Sequence, residues 1–174
     1  GVVTPVAELA PVQVGGVTVR RATLHNYDAI RRKDVRIGDT VVVQRAGDVI
    51  PEVVGPVPER RPPGAGLPEP PDECPACGTA LEATEGMVAL RCPNRHGCPA
   101  QIESKIVHFA SRGAMDIEGL GEKQVRRFLD LGWISDVAGV FGLAARREEM
   151  AALERMGEQS AANLLAAIEA RKSP

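Results

Sequence analysis

The sequence predicts a multidomain chain: an all-β barrel of the OB type, a small four-cysteine zinc module, and an all-α helix-hairpin-helix domain. Three observations carry this. Short β-branched runs fill about the first 55 residues, four cysteines follow between Cys74 and Cys98, and beyond them the apolar period changes from two to that of a helix. The expected boundaries are 1–57 for the barrel, 58–73 for a Pro-rich linker, 74–98 for the zinc finger and 99–174 for an incomplete helical domain.

The barrel is read from its turns. Val2-Val3-Thr4, Val12-Gln13-Val14 and Val17-Thr18-Val19 are β-branched runs, and Gly15-Gly16 between the last two marks a hairpin. A second hairpin joins Thr40–Gln44 to Val49–Val54 around Ala46-Gly47-Asp48, and Tyr27–Arg32 between the hairpins supplies a turn or two of helix. Four or five short strands with a helical insert suit a compact OB barrel. Nine of the fourteen prolines then fall between Pro51 and Pro75. The stretch Gly55–Asp72 has almost no apolar periodicity and reads as a semi-rigid, polyproline-biased connector.

Cys74-x2-Cys77, fourteen residues, then Cys92-x5-Cys98 is the strongest local signal. The turn Cys74-Pro75-Ala76-Cys77-Gly78 lets two thiolates point into one tetrahedral site, and the second pair closes it. Two disulfides are the competing reading, but no secretory leader is visible. Four thiolates leave zinc no position for water, so the site is expected to be structural, with folding of the segment dependent on the metal. His96 lies inside the second knuckle, where it is either a substitute ligand or an exposed loop residue.

In the last third, Ile102, Ile106, Phe109 and Ala110 share one face of a helix from Ala100 to Arg112. Val125, Phe128 and Leu129 mark a second, ended by Gly132. Ser135 is expected to cap a short helix carrying Val137, Val140 and Phe141, and Ala161, Leu164, Leu165 and Ile168 mark the last. Before the second helix, Asp116-Ile117-Glu118-Gly119-Leu120-Gly121 places two glycines ahead of a helix start. No strand precedes them and a third glycine is missing, which excludes a dinucleotide fingerprint. The helix-hairpin-helix alternative uses Gly119 and Gly121 to bring backbone amides close to a phosphate, with Lys123 as the local cation. Leu153–Gly157 repeats this layout 36 residues on, with Arg155 in the first glycine's place and Gly157 in the second's. Such contacts carry little sequence preference.

Composition limits the other classes. With 44% apolar and 25% charged residues the balance is globular, and no apolar run approaches a membrane span. Aromatic residues at 3% supply no stacking platform for single-stranded bases. The formal charge of -2 excludes a uniformly basic surface, so a polyanion site has to be a local patch. A start at Gly1 without Met suggests a processed chain or a piece of a longer one.

Arg21-Ala22-Thr23-Leu24-His25-Asn26, Arg36-Ile37-Gly38-Asp39, Ala46-Gly47-Asp48-Val49-Ile50-Pro51 and Asp116–Gly121, with the four cysteines, closely resemble the bacterial NAD-dependent DNA ligases over essentially the whole chain. The resemblance implies a DNA-binding clamp that seals nicks in double-stranded DNA during replication and repair, in the bacterial cytoplasm at the nucleoid, without a membrane. It implies structural zinc here, and NAD and Mg bound by an upstream nucleotidyltransferase domain of the same chain. That domain's Lys-x-Asp-Gly is absent, because Lys33, Lys105, Lys123 and Lys172 all lack the following x-Asp-Gly. These residues are therefore expected to bind DNA but not to seal it alone. Within the barrel the resemblance points to Arg20, Arg21, His25 and Asn26 near the nick and to Val49 and Ile50 in the minor groove. His25 and Asn26 have an equal claim as caps of the helix at Tyr27, and Val49 and Ile50 as strand interior. Arg31, Arg32 and Lys33 read as a solvated helix face. The rival from another class is a non-enzymatic zinc and helix-hairpin-helix repair scaffold, which leaves the barrel motifs unexplained.

Overall fold

The computed structural model describes residues 1–45, 50–83 and 89–172. Contacts divide the chain into two compact units, Gly1–Pro93 and Asn94–Pro174.

In the first unit, β2 (Val6–Val14) and β3 (Val17–Thr23) form an antiparallel hairpin in which Val14 faces Val17. Gly15 and Gly16 both have left-handed backbones, with φ of 57° and 80°, the geometry a two-residue hairpin turn demands. β4 (Val41–Gln44) and β5 (Glu52–Pro56) form the second antiparallel pair. Its expected turn, residues 46–49, lies outside the described residues. β5 also meets β3 in parallel at Thr23 and Glu52, giving the order β2-β3-β5-β4. Between the pairs, α1 (Tyr27–Lys33) starts where the Asn26 side-chain oxygen accepts the Ala29 amide at 2.7 Å, which supports the capping role read for Asn26. The helix buries Ile30 with Ala22, Val35 and Val53, and Leu9, Leu24, Tyr27, Val41 and Val43 pack around them.

Two features of this unit differ from expectation. Val2–Val3, grouped by sequence with the barrel strands, is a separate strand β1 that pairs with β7 (Leu90–Arg91), itself paired with β6 (Glu82–Ala83). The Cys92 amide extends this pairing by donating to the Gly1 carbonyl at 2.8 Å. A β-branched pair specifies extended backbone but not its partner, and here the partner lies nearly ninety residues away in sequence. The Pro-rich segment, expected to be a semi-rigid connector between folded units, starts as a 3-10 turn at Pro58–Arg60 and is fastened to the loop after α1. The Arg61 guanidinium donates to Asp34 at 2.7 Å and to Asp39 at 2.8 Å, and the Ile37 amide donates to the Gly66 carbonyl at 3.0 Å. The Asp39 side chain is shielded and Arg61 only 18% exposed, so solvent screens this pair less than it does an open surface bridge.

The second unit is all-helical among the described residues. α2 (Pro99–Ala110) opens with proline at its first position, where no amide is needed. α3 (Glu122–Asp130) closes at Gly132, whose φ of 67° lets its amide reach the Leu129 carbonyl while Trp133 reaches Phe128, as expected of a glycine stop. α4 (Gly139–Gly142) starts later than expected. Ala138 stands at its N-cap without a side-chain bond, and the turn before it is closed by Asp136, whose carboxylate accepts the Gly139 amide at 2.8 Å, so the cap expected of Ser135 is not made. α5 (Arg147–Ala151) was not anticipated, being too short to show a period, and α6 (Gly157–Glu169) ends the array. Ile106, Val125, Phe128, Val140, Leu143, Met150, Leu164 and Ile168 form one core, each at most 1% exposed. Phe128 stacks on Trp133 with ring centroids 5.5 Å apart. No helix of the described residues is long and apolar enough to cross a membrane.

Candidate functional site

The cysteine thiols converge. One Sγ from each of Cys74, Cys77, Cys92 and Cys98 lies within 4.8 Å of every other, and none forms a disulfide. Cys77 and Cys92 are 3.6 Å apart at sulfur, far from the roughly 2.05 Å of a bond and close to the about 3.8 Å edge of a tetrahedron with metal–sulfur distances near 2.3 Å. Local turns aim the thiols. The Gly78 amide donates to the Cys74 carbonyl at 2.8 Å, and Gly78 itself has a φ of 70° that its lack of Cβ permits. In the second knuckle, the Asn94 side-chain oxygen accepts the Gly97 amide at 2.8 Å and its carbonyl accepts the Cys98 amide at 3.1 Å. Cys98 is also the residue from which α2 starts. The hydroxyl and amide of Thr79 bond the Cys77 sulfur and hold its thiol down, from 9.0 to about 6, which favours the thiolate a cation needs. His96 is exposed and is not among the converging ligands. A closed set of four sulfur donors fits zinc, held as a crosslink with no open position for chemistry.

The two glycine-bearing turns have matching geometry. Ile117 and Leu120 are buried and joined by the Leu120 amide to the Ile117 carbonyl at 3.3 Å, and Leu153 and Met156 repeat the bond at 3.1 Å. Between them, Gly119 and Arg155 both have left-handed backbones. The turns diverge one step later, where Gly121 has a φ of -82° and Gly157 one of 66°. Thus Arg155 preserves the turn at the first position, and the asymmetry falls on the second. A groove of about 710 Å³ opens beside Gly119 and Gly121, with Arg112 and Arg171 on its walls. Lys123 is exposed and has no salt-bridge partner among the described residues.

Residues 1–65 match the family model of the NAD-dependent DNA ligase OB-fold domain, and residues 73–100 that of the NAD-dependent DNA ligase C4 zinc finger domain. Over its whole length the chain is 57% identical to a DNA ligase of Symbiobacterium thermophilum. It is 59% identical over 99% of its length to one of Methylococcus capsulatus, and 55% over 99% to one of a Roseiflexus species. The chain carries two domains of the NAD-dependent DNA ligase family. It covers 24 to 26% of the length of those relatives. The ligase OB-fold match runs to residue 65, through the stretch that Arg61 fastens to Asp34 and Asp39.

Within this ligase barrel, the residues singled out from sequence are unevenly free. Arg20 is exposed, whereas Arg21 pairs with Glu8 across the β2–β3 ladder at 2.9 Å with both side chains largely solvated. His25 has a φ of 62° and sits 2.6 Å from the Glu52 carboxylate. The Gln44 amide and His25 together hold the Glu52 carboxyl below its ordinary range. Asn26 spends its side-chain oxygen on the α1 cap. Ile50 is 72% exposed just before the strand rather than inside it, and Val49 lies outside the described residues. Thr79 and Asn94, which set the thiols, were not singled out from sequence. Asn94 carried a signal, since an Asn three residues before a Gly suggests a side-chain-closed turn.

Proposed function

We propose that this chain is the DNA-binding portion of an NAD-dependent DNA ligase. In this reading it holds a nicked duplex while an upstream nucleotidyltransferase domain, using NAD and Mg, adenylates the 5' phosphate and joins it to the 3' hydroxyl. The residues described here would contribute positioning, on which in-line displacement at phosphorus depends. The observation that carries the reading is the pair of exposed left-handed turns at the starts of α3 and α6, in a chain similar throughout to proteins named DNA ligase. These turns read as helix-hairpin-helix motifs. The amides at Gly119, Gly121 and Gly157 have no side chain to keep a phosphate away, and Lys123 and Arg155 bring positive charge beside them.

For the barrel, the reading gives Arg20 a phosphate contact and Ile50 an apolar contact in the minor groove, with Val49 beside it. Arg21 and His25 would exchange Glu8 and Glu52 for phosphate oxygens, and Asn26 would keep its cap and offer only its NH₂ group. Zinc would act at a distance, by holding the knuckles on which α2 begins. The setting is the bacterial cytoplasm, at the nucleoid.

The test is a titration of the zinc-loaded and the chelated chain against nicked and intact duplex of one sequence at two salt concentrations. Salt-sensitive binding that weakens with zinc loss and favours the nick is the expected result. Binding that ignores the nick would leave a general DNA-repair scaffold, and no binding to either duplex would overturn the DNA-holding role.

A further inference from the structure

Each of the two turns is held by an arginine belonging to the other turn's helix. Arg127, on α3, donates to the Glu154 carbonyl of the second turn at 2.8 Å. Arg171, just past the end of α6, donates to the Asp116 carbonyl of the first at 3.1 Å and lies 3.4 Å from its carboxylate. The two acceptors occupy different places in the repeat, but each lies at or just before a left-handed residue. Asp116 is itself left-handed with φ of 48°, and Glu154 directly precedes the left-handed Arg155. A left-handed residue carries neighbouring carbonyls out of any helical ladder, and such oxygens need a donor from elsewhere. A guanidinium supplies a charge-assisted one. Packing repeats the crossing at the first turn, since a Cβ built on Gly119 would lie 3.7 Å from the Leu164 side chain of α6.

We propose that Arg127 and Arg171 are positioning residues that cross-brace the two turns and fix the spacing at which their amides meet phosphates of one duplex. The proposal rests on the DNA-holding role and deepens it. Two weak sites reinforce each other only when both can engage without reordering, so a rigid spacing converts the second contact into an intramolecular event. Neither arginine needs to touch DNA for this. The 36-residue repeat would then act as one two-point grip rather than two independent hairpins.

The experiment compares Arg127→Met, Arg171→Met and the double variant by duplex-binding anisotropy across salt, and by amide exchange in the free protein. Each single variant is expected to lower affinity about tenfold and the double variant little further, because spacing once released cannot be released again. Exchange should accelerate at the hydrogen-bonded Met156 amide in Arg127→Met and at the Leu120 amide in Arg171→Met. Losses that add, with the salt slope falling by about one for each arginine removed, would make them direct phosphate contacts and overturn the brace. Unchanged exchange at the opposite turn would overturn it too. Should a methionine variant lose helical circular dichroism, glutamine, too short to reach the carbonyl, replaces it under the same criteria. If the unaltered chain binds no duplex, the DNA-holding role fails and the grip with it, while exchange still reports whether the turns are braced.

Discussion

Arg155 occupies in the second turn the place Gly119 holds in the first, and the two backbones turn the same way, with φ of 64° and 85°. An L side chain in that region costs on the order of 1 kcal/mol. The Arg155 side chain is 90% exposed, and its ion pair with the similarly solvated Glu154 at 3.5 Å returns little of that cost. Arg155→Gly is therefore expected to stabilise the helical unit by about 0.5 kcal/mol, glycine's freedom in the unfolded chain offsetting part of the relief. The same change should weaken duplex binding and lower the salt slope by about one. Denaturation followed by the fluorescence of Trp133, the sole tryptophan, together with a binding titration, checks both signs. Lower stability with unchanged binding would show that the arginine is there for the fold.

Chelation should expose four reactive thiols per chain and melt the knuckles, since a segment with so few core residues relies on the metal. Cys98→Ser should abolish stoichiometric zinc and also fray the first turn of α2, because Cys98 precedes Pro99 at the helix start. Metal analysis and circular dichroism read the two effects. Full zinc retention in Cys98→Ser would mean that another residue completes the site.

Gly97→Ala tests the second knuckle from outside the ligand set. A Cβ at Gly97 would lie 2.7 Å from the Asn94 side-chain oxygen, the same oxygen that accepts the Gly97 amide. Zinc affinity is expected to fall about tenfold, as for other losses of support around a metal. Shortening Asn94 to alanine in the same chain removes the clash but not the lost turn bond, so it should restore only part of the affinity in a competition assay.

The Arg61 cluster predicts an acid-labile barrel. Arg61, then the Arg36 amide, hold the Asp39 carboxyl below its ordinary 3.8, and Arg36 and Arg61 do the same for Asp34. A depressed carboxyl stabilises the fold above its unfolded value and loses that contribution as pH falls through the folded one. Stability should thus decline below pH about 3.8. Arg61→Gln should be less stable at neutral pH yet lose less on acidification. Urea midpoints between pH 2 and 7, about the window in which carboxyls titrate, measure the difference, and parallel curves for the two proteins would refute the linkage.

Short-range signals carried most of this molecule. Gly15-Gly16 announced its hairpin because glycine takes a left-handed conformation without steric cost, here twice in succession. The cysteine spacing announced the metal centre, since a tight turn brings near-neighbour sulfurs together wherever the rest of the chain goes. Asn26 and Gly132 punctuated their helices through bonds that span only a few residues. The barrel and the C4 module were legible for that reason.

What tertiary structure decided is where distant groups find partners. Val2–Val3 reads as a strand in any context, but only the fold sets it beside Leu90–Arg91 rather than in the barrel. Prolines between Pro51 and Pro75 suggest a semi-rigid connector between units, and only the fold shows Arg61 reaching back to Asp34 and Asp39. The reach of Arg127 to Glu154 and of Arg171 to Asp116 spans 27 and 55 residues and leaves no periodic trace. Propensity and turn chemistry act through a residue's immediate neighbours, whereas ion pairs and strand partners are chosen by whatever the folded chain brings within hydrogen-bond reach.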